Sequence, residues 1–128
     1  VIHPGYVRMF NDAKENACDH LIIALHVDPT IERPEKAKPI LSAEERTEVL
    51  MSLSAVDEVV YYNTEAELIE VLEESRPHIR ILGTDYKGKK FTGSELSIPI
   101  YYHRRDHNWS TTRFKNEITE QVLKQRNM

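Results

Sequence analysis

The sequence predicts an α/β fold: an open parallel sheet with helices on both faces, in a single domain over residues 1–128, with the first strand missing from this chain. Three observations predict it. Short, mostly apolar runs alternate with longer segments whose apolar residues recur at helical spacing. Two Ser/Thr-x-x-Glu sequences, Ser42-Ala43-Glu44-Glu45 and Thr64-Glu65-Ala66-Glu67, mark helix starts, because hydroxyl and carboxylate together satisfy orphan backbone N–H groups. The order helix, strand, helix, strand, helix, strand, loop, strand, helix repeats β-α-β units, which build parallel sheets.

The elements follow in order. Residues 6–17 form a helix with Val7, Phe10, Ala13 and Ala17 on one side. Residues 20–27 form a short apolar strand buried on both faces. Residues 28–39 hold three prolines and several charges, the composition of a mobile loop. The helix capped by Ser42 carries Val49, Leu50 and Leu53, and residues 56–61 form the next strand. The helix capped by Thr64 carries Leu68, Val71 and Leu72 and ends at Pro77. Strand residues 79–82 lead into the polar loop 83–93, and residues 98–102 form a strand that Pro99 keeps near an edge. Ser110 caps a final helix with Phe114, Ile118 and Val122 every four residues. A strand ahead of the first helix would complete the first unit; the chain begins with Val1-Ile2 rather than Met, and we expect that strand in a segment not included here.

Composition narrows the function. With 40% hydrophobic and 30% charged residues, 128 residues suffice for one core. A net charge of -4 argues against a general nucleic-acid binder but permits a local phosphate site. Cys18 is the single cysteine, which precludes an internal disulfide and suits a reducing cytoplasm. No apolar run approaches the ~20 residues that span a bilayer, so no membrane partner is expected. The histidines lack metal-ligand spacing, and no protein metal site is expected.

In open α/β sheets ligands bind outside the carboxyl ends of the strands. Four segments converge there. His3-Pro4-Gly5-Tyr6 offers an imidazole donor and a glycine that lets a ligand approach the backbone; it is equally a turn with an incidental histidine. Lys36, Lys38 and Arg46 lie on and after the proline-rich loop, where cations could close on a triphosphate or simply remain solvated. Gly83 and Asp85 follow a strand, Asp85 suited to a ribose hydroxyl or base amine, or to a plain turn. Arg105 with Ser110, Thr111 and Thr112 combines a forked donor with hydroxyls and bare N–H groups at a helix start, or is an ordinary N-cap. Asp28, before Pro29, is a weaker candidate or a turn residue.

Taken together, these segments resemble the cytidylyltransferase family of nucleotidyltransferases, with a Rossmann-like sheet, and most closely its bacterial glycerol-3-phosphate enzymes. His3-Pro4-Gly5 matches the family's His-x-Gly-His motif, which Tyr6 then departs from. Arg105, Ser110, Thr111 and Thr112 match its Arg-Thr-Glu-Gly-Ile-Ser-Thr-Thr signature. Glu45-Arg46, Val56-Asp57-Glu58-Val59 and Gly83-Thr84-Asp85-Tyr86 also fit. Ser54 stands where the glycerol-3-phosphate enzymes carry a second arginine, and the family's first strand and its Gly-Thr-Phe-Asp turn are absent.

The resemblance implies transfer of CMP from CTP to a phosphorylated polyol or alcohol, glycerol 3-phosphate foremost, with Mg²⁺ and release of pyrophosphate. It implies His3, Tyr6 and Arg105 as catalytic residues. Gly5, Lys36, Lys38, Gly83, Asp85, Ser110 and Thr111 would bind the nucleotide, and Asp28 and Arg46 the acceptor. A cytoplasmic homodimer is implied as well. Three other readings stay open: an adenylyltransferase of the same fold acting on a sugar phosphate or cofactor precursor, a nucleotide-binding protein without catalysis, and a regulatory or assembly domain that binds no nucleotide.

Overall fold

The computed structural model describes residues 2–104 and 110–126. Its elements are α1 (Pro4–Asn16), β1 (Ile22–His26), α2 (Ala43–Met51), β2 (Glu58–Tyr62), α3 (Glu65–Ser75), β3 (Arg80–Gly83), β4 (Ile100–His103) and α4 (Thr111–Arg126). A single 3₁₀ turn, Thr84–Tyr86, follows β3. The alternation expected from the sequence is present, and the fold is α/β of the Rossmann-like kind.

The helix starts are set by the residues that announced them. Ser42 Oγ accepts from the Glu45 N–H at 3.1 Å and Glu45 Oε1 accepts from the Ser42 N–H at 2.9 Å, a complete capping box. Thr64 Oγ1 accepts from the Glu67 N–H at 3.1 Å, but Glu67 reaches back to the Asn63 N–H at 2.6 Å rather than to Thr64. Arg76 ends α3 in the left-handed region at φ 46°, and Pro77 blocks continuation. The first helix starts two residues earlier than its apolar spacing suggests. His3 is its N-cap and Pro4 its first residue, where the missing N–H and fixed φ of proline are suited.

The sheet departs from one continuous layer. β1 pairs in parallel with β2, from Ile22 opposite Glu58 to His26 opposite Tyr62. β3 pairs in parallel with β4, from Arg80 opposite Ile100 to Gly83 opposite His103. The two pairs are separate two-stranded sheets. Between them runs a groove of about 800 Å³, walled by residues 21–24 on one side and 79–82 on the other, with Phe10 of α1 and Leu72 of α3 also lining it. The physical reason for the split is that no strand bridges the facing edges of β1 and β3 among the described residues.

Phe10 and Ala13 of α1 meet Leu21, Leu50, Ala55 and Val56 in the core, with Ile23, Leu25, Val59 and Ile81 packed against them. Among the described residues no large side chain is fully buried, in keeping with a core that opens onto the groove. Val49, expected on the inner face of α2, is exposed. So are Ile118 and Val122 of α4, while Phe114 on the same stripe is half-buried.

Candidate active site

A cavity of about 250 Å³ lies where the carboxyl ends of β3 and β4 meet the amino ends of α1 and α4. His3, Gly5, Tyr6, Gly83, Asp85 and Thr111 line it, joined by Met9, Leu82, Tyr86 and His103. Its volume falls below that of most whole-ligand pockets, so it suits the phosphate end of a nucleotide better than the entire molecule.

α1 brings the first group. The backbone N–H of Gly5 donates to His3 Nδ1 at 3.0 Å, and the Tyr6 N–H donates to the His3 carbonyl at 3.0 Å. An acceptor Nδ1 carries no proton, so the ring proton of the neutral imidazole sits on Nε2 and makes that atom a donor. His3 is buried, with its ring 4.5 Å from that of Tyr6 and 6.5 Å from Phe114 of α4. The capping role and the donor role therefore belong to opposite sides of one ring.

α4 brings the second. Ser110 Oγ accepts from the Arg113 N–H at 3.1 Å and the Ser110 carbonyl from the Phe114 N–H at 3.0 Å, which fixes Ser110 as the N-cap. Thr111, the first residue of the helix, faces the cavity. Its Oγ1 is 3.2 Å from the Tyr6 hydroxyl, a hydrogen bond between residues 105 apart in sequence. Tyr6 thus joins the two helix starts. Both amino ends present the positive pole of a helix dipole to one space, which favours an anion there.

β3 brings the third. Gly83 lies in extended backbone, and a Cβ on it would fall 2.5 Å from Asp85 Oδ1. The missing side chain is what allows the Asp85 carboxylate to fold back over the end of β3. Asp85 itself is exposed at the cavity rim.

The other candidates lie elsewhere. Arg46 does not line the cavity: its Nη1 and Nη2 donate to the carbonyls of His26 and Val27 at 2.7 and 2.6 Å, and its Nε to those of Leu41 and Ser42 at 3.2 and 3.3 Å. It ties the end of β1 to the start of α2 with three of its five N–H donors. Asp28 is a turn residue: its Oδ1 accepts from the Thr30 N–H at 2.9 Å and hydroxyl at 2.6 Å. Those bonds, with a smaller contribution from Lys38, hold its carboxyl below the ordinary range. Lys36 and Lys38 are exposed on the loop and do not line the cavity. Arg105 lies outside the described residues.

Sequence reasoning missed His103 as a lining residue. It is buried, and its Nδ1 donates to Asp12 Oδ2 at 2.7 Å. A polar pair two residues apart on a strand, Tyr101 and His103, was the signal available, since both fall on one face. Among the described residues no group of three His, Cys, Asp or Glu side chains converges in a way that could hold a metal ion.

Residues 1–122 match the family model described as Cytidylyltransferase-like. The chain is 34% identical over 99 residues to the bifunctional protein HldE of Caulobacter vibrioides, covering 77% of this chain and 20% of that protein. It is 40% identical over 100 residues to the bifunctional protein HldE of Wolinella succinogenes, covering 75% and 20%. For the HldE of Nitrobacter hamburgensis the figures are 33% over 97 residues, 75% and 19%. The chain spans about a fifth of the length of these curated relatives. With two helix starts meeting at one anion-suited cavity and a family match over nearly all its length, this chain belongs to the cytidylyltransferase-like family of nucleotidyltransferase enzymes.

Proposed function

We propose that the cavity holds the phosphates of a nucleoside triphosphate while a phosphorylated small molecule displaces pyrophosphate from it. A phosphate oxygen of the acceptor forms a bond to the α-phosphorus. The bond from that phosphorus to the bridging oxygen breaks, and pyrophosphate leaves with the electron pair. No enzyme nucleophile is needed, so catalysis rests on alignment and on stabilising charge that builds on the phosphate oxygens. The observation that carries this reading is that His3 and Thr111, from opposite ends of the chain, line one cavity.

The His3 Nε2–H donates to a phosphate oxygen, while the Gly5 bond holds the ring. Ser110 and Thr111 offer the α4 amino end, and Tyr6 adds a neutral hydroxyl where the family motif has a second imidazole. Arg105 supplies a forked cation by resemblance. Mg²⁺, expected by resemblance, would come with the triphosphate and would offset charge on its phosphate oxygens. Among the described residues Asp85 is the carboxylate that lines the cavity and would face the ion.

For the substrate pair we propose ATP and a sugar phosphate ahead of CTP and glycerol 3-phosphate. The likeness to the HldE proteins supports that order, and Ser54 in place of a second arginine supports it from the acceptor side. A homodimer, and a place in the cytoplasm, belong to the same proposal; among the described residues no helix is long and apolar enough to cross a membrane.

The test is pyrophosphate release from the full chain with Mg²⁺, ATP or CTP, and a panel of sugar phosphates alongside glycerol 3-phosphate. Turnover with ATP and a sugar phosphate is expected, and His3→Ala should lower it by about 10²-fold or more, the usual cost of removing a donor aimed at developing charge. Turnover confined to CTP and glycerol 3-phosphate would reverse the order of substrates. Nucleotide binding without pyrophosphate from any pair would leave a binding protein.

A further inference from the structure

One carboxylate fastens α1 to β4 beside the cavity. Asp12 lies on α1, the helix that starts at His3. Its Oδ1 accepts from the Tyr101 hydroxyl at 2.9 Å and from the Asn16 amide at 2.7 Å, and its Oδ2 accepts from His103 Nδ1 at 2.7 Å. Tyr101 and His103 alternate along β4 and so present the same face to α1. The side chains of His103 and Asp12 are 11% and 22% exposed, which places this contact largely out of water. Desolvation works against the charged carboxylate, but the donors from His103, Asn16 and Tyr101 outweigh it and hold Asp12 below the ordinary carboxyl range.

The position matters more than the strength. β4 is the last strand before α4, whose first residue lines the cavity, and α1 carries His3 on the opposite wall. A phosphate chain held between them needs their separation fixed, and a misplacement of about 1 Å can cost on the order of 10²-fold in rate. An apolar pair would pack α1 on β4 with no desolvation cost but with no directional register; a carboxylate accepting two bonds from alternate residues of one strand admits a single register.

We propose that Asp12 is a positioning residue: by holding Tyr101 and His103 it locks α1 against β4 and sets the gap between His3 and Thr111 across which the phosphates lie. This rests on the reading of the cavity as a nucleotidyl-transfer site.

The test uses the full chain with Asp12→Asn, His103→Leu and His103→Asn. Asn at 12 keeps the shape but turns one acceptor into a donor facing a donor. Leu at 103 removes the donor, and Asn at 103 returns one at the position of Nδ1. The expected result is that Asp12→Asn and His103→Leu lower kcat by about 10–100-fold with KM for the triphosphate changed less than about threefold, and that His103→Asn stays within about fivefold of the parent. Amide exchange gives a readout independent of turnover. The Tyr6 and Phe114 amides, bonded to His3 and Ser110, should exchange faster in Asp12→Asn, while the Val27 amide, bonded to Tyr62, should not. Equal acceleration at all three amides, or no difference between the Leu and Asn variants at 103, overturns the proposal in favour of plain stabilisation. If the parent turns over no substrate pair, the functional reading falls. The exchange pattern still decides the clamp: selective loosening of the two arms supports it, and its absence overturns it.

Discussion

Gly83→Ala separates the proposed binding role of the β3 end from its contribution to the fold. The added Cβ would lie 2.5 Å from Asp85 Oδ1 and 3.7 Å from its Cγ, and among the described residues, beyond the chain neighbours, no other atom lies within 4 Å. Carbon and oxygen do not approach closer than about 3 Å without a bond, so one side must move by at least half an ångström. The movable side is the Asp85 carboxylate, at an exposed position where a changed rotamer costs about 0.5–1.5 kcal/mol. Gly83 has φ −74°, a conformation alanine adopts freely, so no backbone strain is added. Stability should therefore change by no more than about 1.5 kcal/mol. The swung carboxylate loses any hydrogen bond it makes to the nucleotide, and a bond to a charged group is worth about 1.5–3 kcal/mol, roughly a 10–150-fold rise in Kd. Calorimetric titration with ATP measures the affinity and thermal unfolding the stability, for Gly83→Ala, Asp85→Ala and the double variant. If Gly83 acts only through Asp85, the double variant binds no more weakly than Asp85→Ala. Additive losses, or a melting temperature that falls along with the affinity, would refute the reasoning.

Two further outcomes follow from contacts away from the cavity. Arg46→Ala removes two short bonds to the carbonyls of His26 and Val27, and should cost about 2 kcal/mol and roughly 6–10 °C in Tm while leaving KM for both substrates within about twofold; a tenfold rise in acceptor KM at unchanged Tm would restore Arg46 to the binding site. Acid should unfold the protein through depressed carboxyls. The Lys14 ammonium at 2.6 Å and the Leu21 N–H at 2.8 Å hold Asp57 below its ordinary range, and Asp12 is held low as described. A carboxyl lowered on folding adds stability above its unfolded pKa of about 3.9 and loses it as pH falls through the folded value. Stability should thus decline from about pH 5 downward, and Asp57→Asn should flatten that decline in chemical denaturation at a series of pH values; an unchanged slope would remove Asp57 as a cause.

Local signals carried furthest. Ser42, Thr64 and Ser110 announce helix starts because the partners of an N-cap lie within three residues, and all three cap as the sequence suggests. His3, Gly5, Gly83 and Thr111 were legible as cavity residues because strand-end chemistry is also local, and the topology of an α/β chain then brings them together. Arg46 shows the limit. Its charge and place in the first turn of a helix suggest an anion, but its two shortest bonds go to carbonyls about 20 residues earlier, which spacing cannot show. His103 shows the converse. Its partner Asp12 lies 91 residues away, and a histidine in an apolar strand gives no hint of the carboxylate that orients it. The stripe on α4 reads correctly as a helical face but not as an exposed one, because periodicity reports a face and not what covers it.

The groove admits a prediction of its own. Among the described residues β1 and β3 each pair on one side only and face each other across the groove, so both present edge backbone groups to it. Such edges are templates for a strand. Direction is fixed by α1: its amino end lies beside the carboxyl ends of β3 and β4, where His3 meets Gly83 and His103. A segment that runs along the groove and enters His3 therefore points the same way as β1 and β3, parallel to both. Five residues at about 3.3 Å each span roughly 16 Å, the length of β1. Joining five β-branched residues ahead of Val1 should merge the two sheets in the order β2, β1, new strand, β3, β4. Hydrogen exchange should slow at the facing edges, residues 22–25 and 80–82, and Tm should rise. The same five residues in a sequence broken by two prolines make the control, since proline cannot donate to the ladder. Equal protection with both extensions would mean that the groove collapses on any apolar segment; protection with neither would mean that its walls close on each other in solution.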